Sequence, residues 1–183
     1  MKIRSIKGKV LWEGLAKSLK RAVEVAVCDG VSLFEADLCG EDLRGAVLSR
    51  ADLRGADLSW ANLSKAHLQW ADLTGAKLNR VKLRKAWLSE LMIQNAKIIC
   101  ADLSRVHADG ANFKGSNLGG SSFYGAFLDG AVLSECFLLD VDLRKAHCVK
   151  ADFSKSILEG ADMRKAKVIM ANFDQAFLSD VKI

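Results

Sequence analysis

A chain of 183 residues, 50% hydrophobic and 27% charged, has the composition of one folded domain with a sizeable core and excludes a disordered polymer. No apolar run approaches the roughly 18–20 residues of a membrane span, and the basic N-terminus lacks the apolar segment of a secretory signal, so a soluble, cytoplasmic protein is expected. The formal charge of +5 is compatible with an anionic partner, and Cys28, Cys39, Cys100, Cys136 and Cys148 have no CxxC or zinc-ligand spacing, which points to free thiols.

Taken in chain order, residues 2–13 alternate Ile3, Ile6, Val10 and Trp12 around a Lys7-Gly8 turn signal and predict a short hairpin. Leu15, Leu19, Ala22, Val23, Ala26 and Val27 then recur at helical spacing opposite Lys17, Lys20, Arg21 and Glu24, with Gly30 as a stop. From Val31 onward the chain divides into fives without an insertion or deletion: VSLFE, ADLCG, EDLRG, AVLSR, ADLRG and so on to AFLSD and a final VKI. Let the five positions be a to e. Position c is Leu, Phe, Ile, Met or Val except at Ala108 and Cys148. Position a is small with few exceptions, b is often Asp or Asn, and e is often Gly.

A period of five suits neither regular element. In a helix, successive c residues would rotate away from any one stripe. In a straight strand, an odd period would send them to alternate faces. The backbone must turn once per pentad to keep a and c inward and b, d and e outward, with coils stacked at about 4.8 Å. This predicts an all-β solenoid.

The pattern A(D/N)LXX, as in Ala51-Asp52-Leu53-Arg54-Gly55 and Ala71-Asp72-Leu73-Thr74-Gly75, resembles the pentapeptide-repeat family over residues 31–183. The resemblance implies a right-handed quadrilateral β-helix with four pentads per coil, here about 7.6 coils and a body roughly 37 Å long. Residues 1–30 then form an N-terminal cap of hairpin and amphipathic helix over the first coil, as solenoid ends require. The charge pattern independently supports a 20-residue turn. One column of pentads, from EDLRG to VKI, holds 11 of the 20 Lys and Arg in the repeats. Phe113, Phe123, Phe153 and Phe173 at c are expected to stack along the axis, and the glycines at 110–130 to mark tighter or altered turns.

Nothing in the sequence converges as catalytic groups do. His67, His107 and His147 share one column but lie two coils apart, about 10 Å, too far to share a metal ion. They alternate with Val47, Trp87 and Phe127. Asp and Asn at b are repeat grammar, their short side chains bonding nearby backbone. No enzyme, cofactor or metal is expected.

Two surfaces are candidates for binding. The basic column exposes Arg44, Lys65, Lys82, Arg84, Lys85, Arg105, Arg144, Lys145, Arg164 and Lys165, and is near +6 after its five acids are subtracted. The opposite column, beginning at Val31, is near −3. The bland reading of the basic column is a solvated side whose cations balance neighbours such as Asp142 and Asp162. The second candidate is outward apolar residues toward the C-terminal end: Phe137, Leu139, Ile157 and Phe177 on one column, and Phe127, Val149, Ile169 and Met170 on another.

The expected function is a non-catalytic, rigid protein-interaction scaffold with an unidentified partner. The resemblance implies an alternative, since some members of the family mimic DNA and bind and protect type II topoisomerases such as gyrase. Those members are markedly acidic and dimerise through a C-terminal element. This chain departs from them, with near-neutral coils, a basic side and no terminal helix. Nucleic-acid binding by the basic column is a further alternative. The final coil leaves Phe173, Leu178 and unpaired backbone at an open edge, predicting an end-to-end homodimer or a capping segment beyond Ile183.

Overall fold

The turn at position e builds the molecule. A computed structural model describes Met1–Ile183. In every complete pentad from Val31 on, the e residue has positive φ: ten are glycines, and twenty are other residues such as Trp60, Lys85 and Asp140. Positive φ at the third residue of a β-turn is the type II signature. The turn closes through a hydrogen bond from the following a N–H to the c carbonyl, as from Ala56 N to Leu53 O at 3.1 Å. Apart from Gly119, which is at d, the glycines at 110–130 are thus part of a rule that runs the whole length of the repeats. Glycine is favoured at e because it has no Cβ to crowd the left-handed region.

Successive turns bring each b residue beside the b residue 20 positions later. Parallel bridges join Asp37 to Asp57, Asn62 to Lys82, Trp87 to His107 and so on to Asp162 and Lys182. Between coils, the c and e N–H groups donate to the b and d carbonyls of the next coil, and each b N–H donates back to an a carbonyl. Leu53 N to Asp72 O is 2.8 Å, Gly55 N to Thr74 O 3.0 Å and Asp72 N to Ala51 O 2.9 Å. The repeats therefore form a β-solenoid of 20-residue coils, with pentads aligned in four columns.

Positions a and c fill its axis. Leu53, Leu73 and Leu103 are at most 1% exposed, and the two irregular c residues, Ala108 and Cys148, are fully buried as well. Phe153 and Phe173 share a column and stack, with centroids 5.1 Å apart. Phe113 and Phe123 do not stack along the axis as expected. They face each other across a single coil and meet edge to face at 5.8 Å.

Serine at position a opens the turn of the coil before it. The hydroxyls of Ser116, Ser121 and Ser156 donate to the carbonyls of Ile93, Ile98 and Leu133, and accept from the N–H groups of Ala96, Ala101 and Cys136. These three a residues are the ones whose N–H does not close its own turn. Each hydroxyl thus satisfies both polar groups of a widened turn, so three fully buried serines leave no polar atom without a partner.

The N-terminal segment supplies the neighbours that the first coil lacks. Strands β1 (Lys2–Arg4) and β2 (Val10–Glu13) pair antiparallel. The end of β1 and the residues after it continue the pairing onto the first coil, with Asp37 N donating to Arg4 O and Ile6 N to Glu35 O. Helix α1 (Leu19–Cys28) is capped by Ser18, whose hydroxyl accepts from Arg21 N, and it buries Ala22, Val23 and Ala26 over the core. Its polar side also works on the coil. Lys20 Nζ donates to Arg44 O at 2.7 Å, and a Glu24 carboxylate oxygen accepts from Val47 N at 3.2 Å. Leu15 has helical spacing but lies before the cap and is fully exposed, because the helix starts only after Ser18. No helix is long and apolar enough to cross a membrane.

Two substitutions test this account. Gly75 has φ +70 and open space where a Cβ would stand, so Gly75→Val isolates the cost of the left-handed backbone. It should destabilise the solenoid by about 1–2 kcal/mol in thermal or denaturant unfolding. Leu103→Ala, at a fully buried position, should cost about 2–5 kcal/mol.

Candidate interaction surface

Position b sets the outward pattern by bonding its own turn. The side-chain oxygens of Asp57, Asp72, Asp102, Asn112 and Asp152 accept the N–H of the d residue two places on, at 2.9–3.0 Å. Where b is Asp and d is Arg, the same carboxylate also takes the guanidinium. Arg44–Asp42, Arg144–Asp142 and Arg164–Asp162 pair at 2.7, 2.9 and 2.6 Å, and Arg54–Asp52 pairs likewise on the opposite column.

These pairs divide the basic column in two. All ten of its candidate residues are exposed, but Arg44, Arg144 and Arg164 are neutralised by an aspartate in their own pentad. Lys65, Lys82, Arg84, Lys85, Arg105, Lys145 and Lys165 have no carboxylate within the 4.0 Å of a salt bridge. The balancing of charge thus reaches the arginines at the two ends of the column, leaves Lys145 and Lys165 unpaired, and fails altogether in the middle. There Lys82, Arg84 and Lys85 occupy a single pentad, with Lys65 in the coil before and Arg105 in the coil after. Near the C-terminal end, Lys145 lies 5.3 Å from the centre of the Tyr124 ring and Arg144 5.6 Å. Lys145 holds the phenol below the usual tyrosine range.

Along the next column the b residues form a continuous row. His67, Trp87, His107 and Phe127 stack with planes within 9° of parallel and centroids 6.2, 4.2 and 4.9 Å apart, and His147 follows at 5.2 Å with a tilted ring. The sequence reading placed these histidines on one column but missed that they and the intervening aromatics form one stack. The 20-residue alignment already carried that signal, because bridged b residues lie one coil apart. A shallow groove of about 600 Å³ runs between Lys65, Lys85 and Arg105 on one side and the His67–Phe127 row on the other. No group of three His, Cys, Asp or Glu residues is arranged to hold a metal ion.

The outward apolar residues do not make one surface. Phe137, Ile157 and Phe177 bridge in register, with Ile157 half-buried between them and Leu139 beside them. Phe127, Ile169 and Met170 lie on the opposite column, where Val149 is also half-buried. All five cysteines are free. Cys136 and Cys148 are buried, and burial pushes both thiols up to about 12.

A family model of pentapeptide repeats matches the chain in overlapping copies that run from residue 26 to 180. The chain belongs to the pentapeptide-repeat family. No curated protein sequence matches it. Among solved structures, it is similar to a pentapeptide repeat protein of the Arabidopsis thaliana thylakoid lumen, with 25% identity over 80% of this chain and 68% of the other, TM-score 0.41. It is also similar to HetL, involved in heterocyst differentiation regulation in the cyanobacterium Nostoc, with 25% identity over 88% and 93% of the two chains, TM-score 0.36. QnrB1, a plasmid-mediated fluoroquinolone resistance protein, shares 20% identity over 80% and 84%, TM-score 0.46.

The Asp–Arg pairs of this pentapeptide-repeat chain predict a defined acid response. The Asp52 carboxyl is lowered to about 2, chiefly by the hydrogen bond from the Arg54 guanidinium. A carboxyl depressed in the folded state stabilises above its unfolded value, near 3.9, and loses that contribution as pH falls through about 2. Wild type should therefore melt higher than Asp52→Asn at about pH 6, and the two curves should converge between about pH 4 and 2.

Proposed function

We propose that this protein is a non-catalytic, cytoplasmic scaffold, a right-handed four-sided prism that presents fixed rows of side chains to a protein partner. The observation that carries this reading is the outward row His67–Trp87–His107–Phe127–His147. Trp87 and Phe127 are 41% and 36% exposed, yet each ring is held in place by stacked neighbours. Rigid, half-exposed aromatics lose little entropy on binding and are enriched in the anchoring residues of protein interfaces. Affinity capture from the source cell should retain a partner with the wild type and lose it with Trp87→Ala/Phe127→Ala, while Asn172→Ala on another column retains it. Equal capture by all three proteins would remove the aromatic row from the proposal.

A second reading, nucleic-acid binding by the basic column, is supported by the seven cations without carboxylate partners. The topoisomerase-mimic alternative fits less well, because this side is cationic where a DNA mimic presents acids. Gyrase assayed with quinolone should accordingly gain no protection, and clear protection would reverse the ranking. An end-to-end homodimer is supported by an apolar hollow of about 430 Å³ in the last coil, lined by Met163, Val168, Phe173, Leu178 and Val181. Light scattering that gives a monomeric mass at every concentration would remove it.

A further inference from the structure

The middle of the basic column is flanked by an aromatic platform that the charge pattern alone does not reveal. Trp60 occupies position e at the corner where this column begins, and it is 58% exposed. One coil further on, the Arg80 guanidinium lies 4.7 Å from the Trp60 ring centre and covers one side of the indole. One coil back, the same corner position is Gly40, and nothing lies within 4 Å of the point where its Cβ would stand. The indole thus has one side backed by a cation and the other facing a rung of the ladder that carries no side chain. Coils repeat at about 4.8 Å, so the empty rung admits one flat ring against the indole.

The side that begins at this corner carries Lys65 in the same coil as Trp60 and Lys82, Arg84, Lys85 and Arg105 in the next two coils, all exposed and none paired with a carboxylate, while in the coil of Gly40 itself Asp42 is taken up by Arg44. The side therefore offers unpartnered positive charge over three consecutive coils, bordered by an open aromatic face. We propose that this surface binds single-stranded nucleic acid, with phosphates on the five cations and a base stacked on Trp60 over Gly40. The inference rests on the second reading above and narrows it. A duplex offers phosphates but keeps its base faces stacked on one another, whereas a single strand offers both.

The test uses the full chain with a fluorescein-labelled oligothymidylate, the same strand in a duplex, and inorganic polyphosphate as competitor. Anisotropy should show binding to the single strand that weakens about 100-fold from about 50 to about 200 mM salt, as displacement of counterions by five cations requires. Binding should quench part of the indole emission. Trp60→Ala should weaken single-strand binding about tenfold and reduce the quench. Lys82→Glu/Lys85→Glu should abolish binding, while Lys155→Glu on the opposite column should leave it unchanged. Each variant changes an exposed side chain, and an unaltered circular dichroism spectrum would establish that it folds. If duplex and single strand bind equally, polyphosphate competes as well as either, and Trp60→Ala has no effect, the single-strand inference falls while the basic-column reading stands. If no nucleic acid binds at about 50 mM salt, both fall.

Discussion

The structure depends on a left-handed residue at every fifth position. A non-glycine residue held there costs about 1–2 kcal/mol, and this chain accepts that cost at twenty positions. Each turn, in exchange, sends another c side chain into the axis, where a fully buried Leu or Phe contributes about 1.5–3 kcal/mol. It also aligns three backbone hydrogen bonds per pentad with neighbouring coils. Burial and bonding thus recur with every turn along the body of the coil, so the fold needs no single large core element.

Such a ladder has ends, and the N-terminal segment shows what one of them requires. The first coil has donors and acceptors facing away from the second. They are met by backbone at the end of β1 and after it, by the Lys20 ammonium and by the Glu24 carboxylate, while Ala22, Val23 and Ala26 cover the apolar axis. Polar and apolar needs are met by two sides of one short helix. The widened turns at Ala96, Ala101 and Cys136 solve a related problem within the body, where a serine hydroxyl replaces the lost turn bond.

Because outward side chains repeat at the coil spacing, the exterior is a set of rows, and the neighbours within a row decide what each residue can do. An arginine at d beside an aspartate at b is neutralised within its own pentad. A lysine at e has no such partner in its pentad and keeps its charge. A histidine between two aromatic b residues becomes part of a stack. Position within the pentad, d against e, separates Arg144 from Arg105, and position along a column makes Trp87 part of a ridge.

The sequence by itself determined the period, the inward a and c positions, the 20-residue coil and the column in which each charge lies. The first two follow from one chain-local rule, a turn after every fifth residue, whereas the four-pentad coil and its columns were what the family resemblance implied and the uneven charge distribution supported. The helix boundary at Ser18, the edge-to-face meeting of Phe113 with Phe123 and the bridging serine hydroxyls were decided only by tertiary structure. So were the division of the basic column into paired and unpaired cations and the open slot between Trp60 and Gly40. The phenylalanine contact, the serine bridges and the slot depend on residues 10 or more apart meeting across or between coils, while the helix start and the Asp–Arg pairs are local but turn on rotamers, and a pentad pattern carries no record of which way a side chain turns.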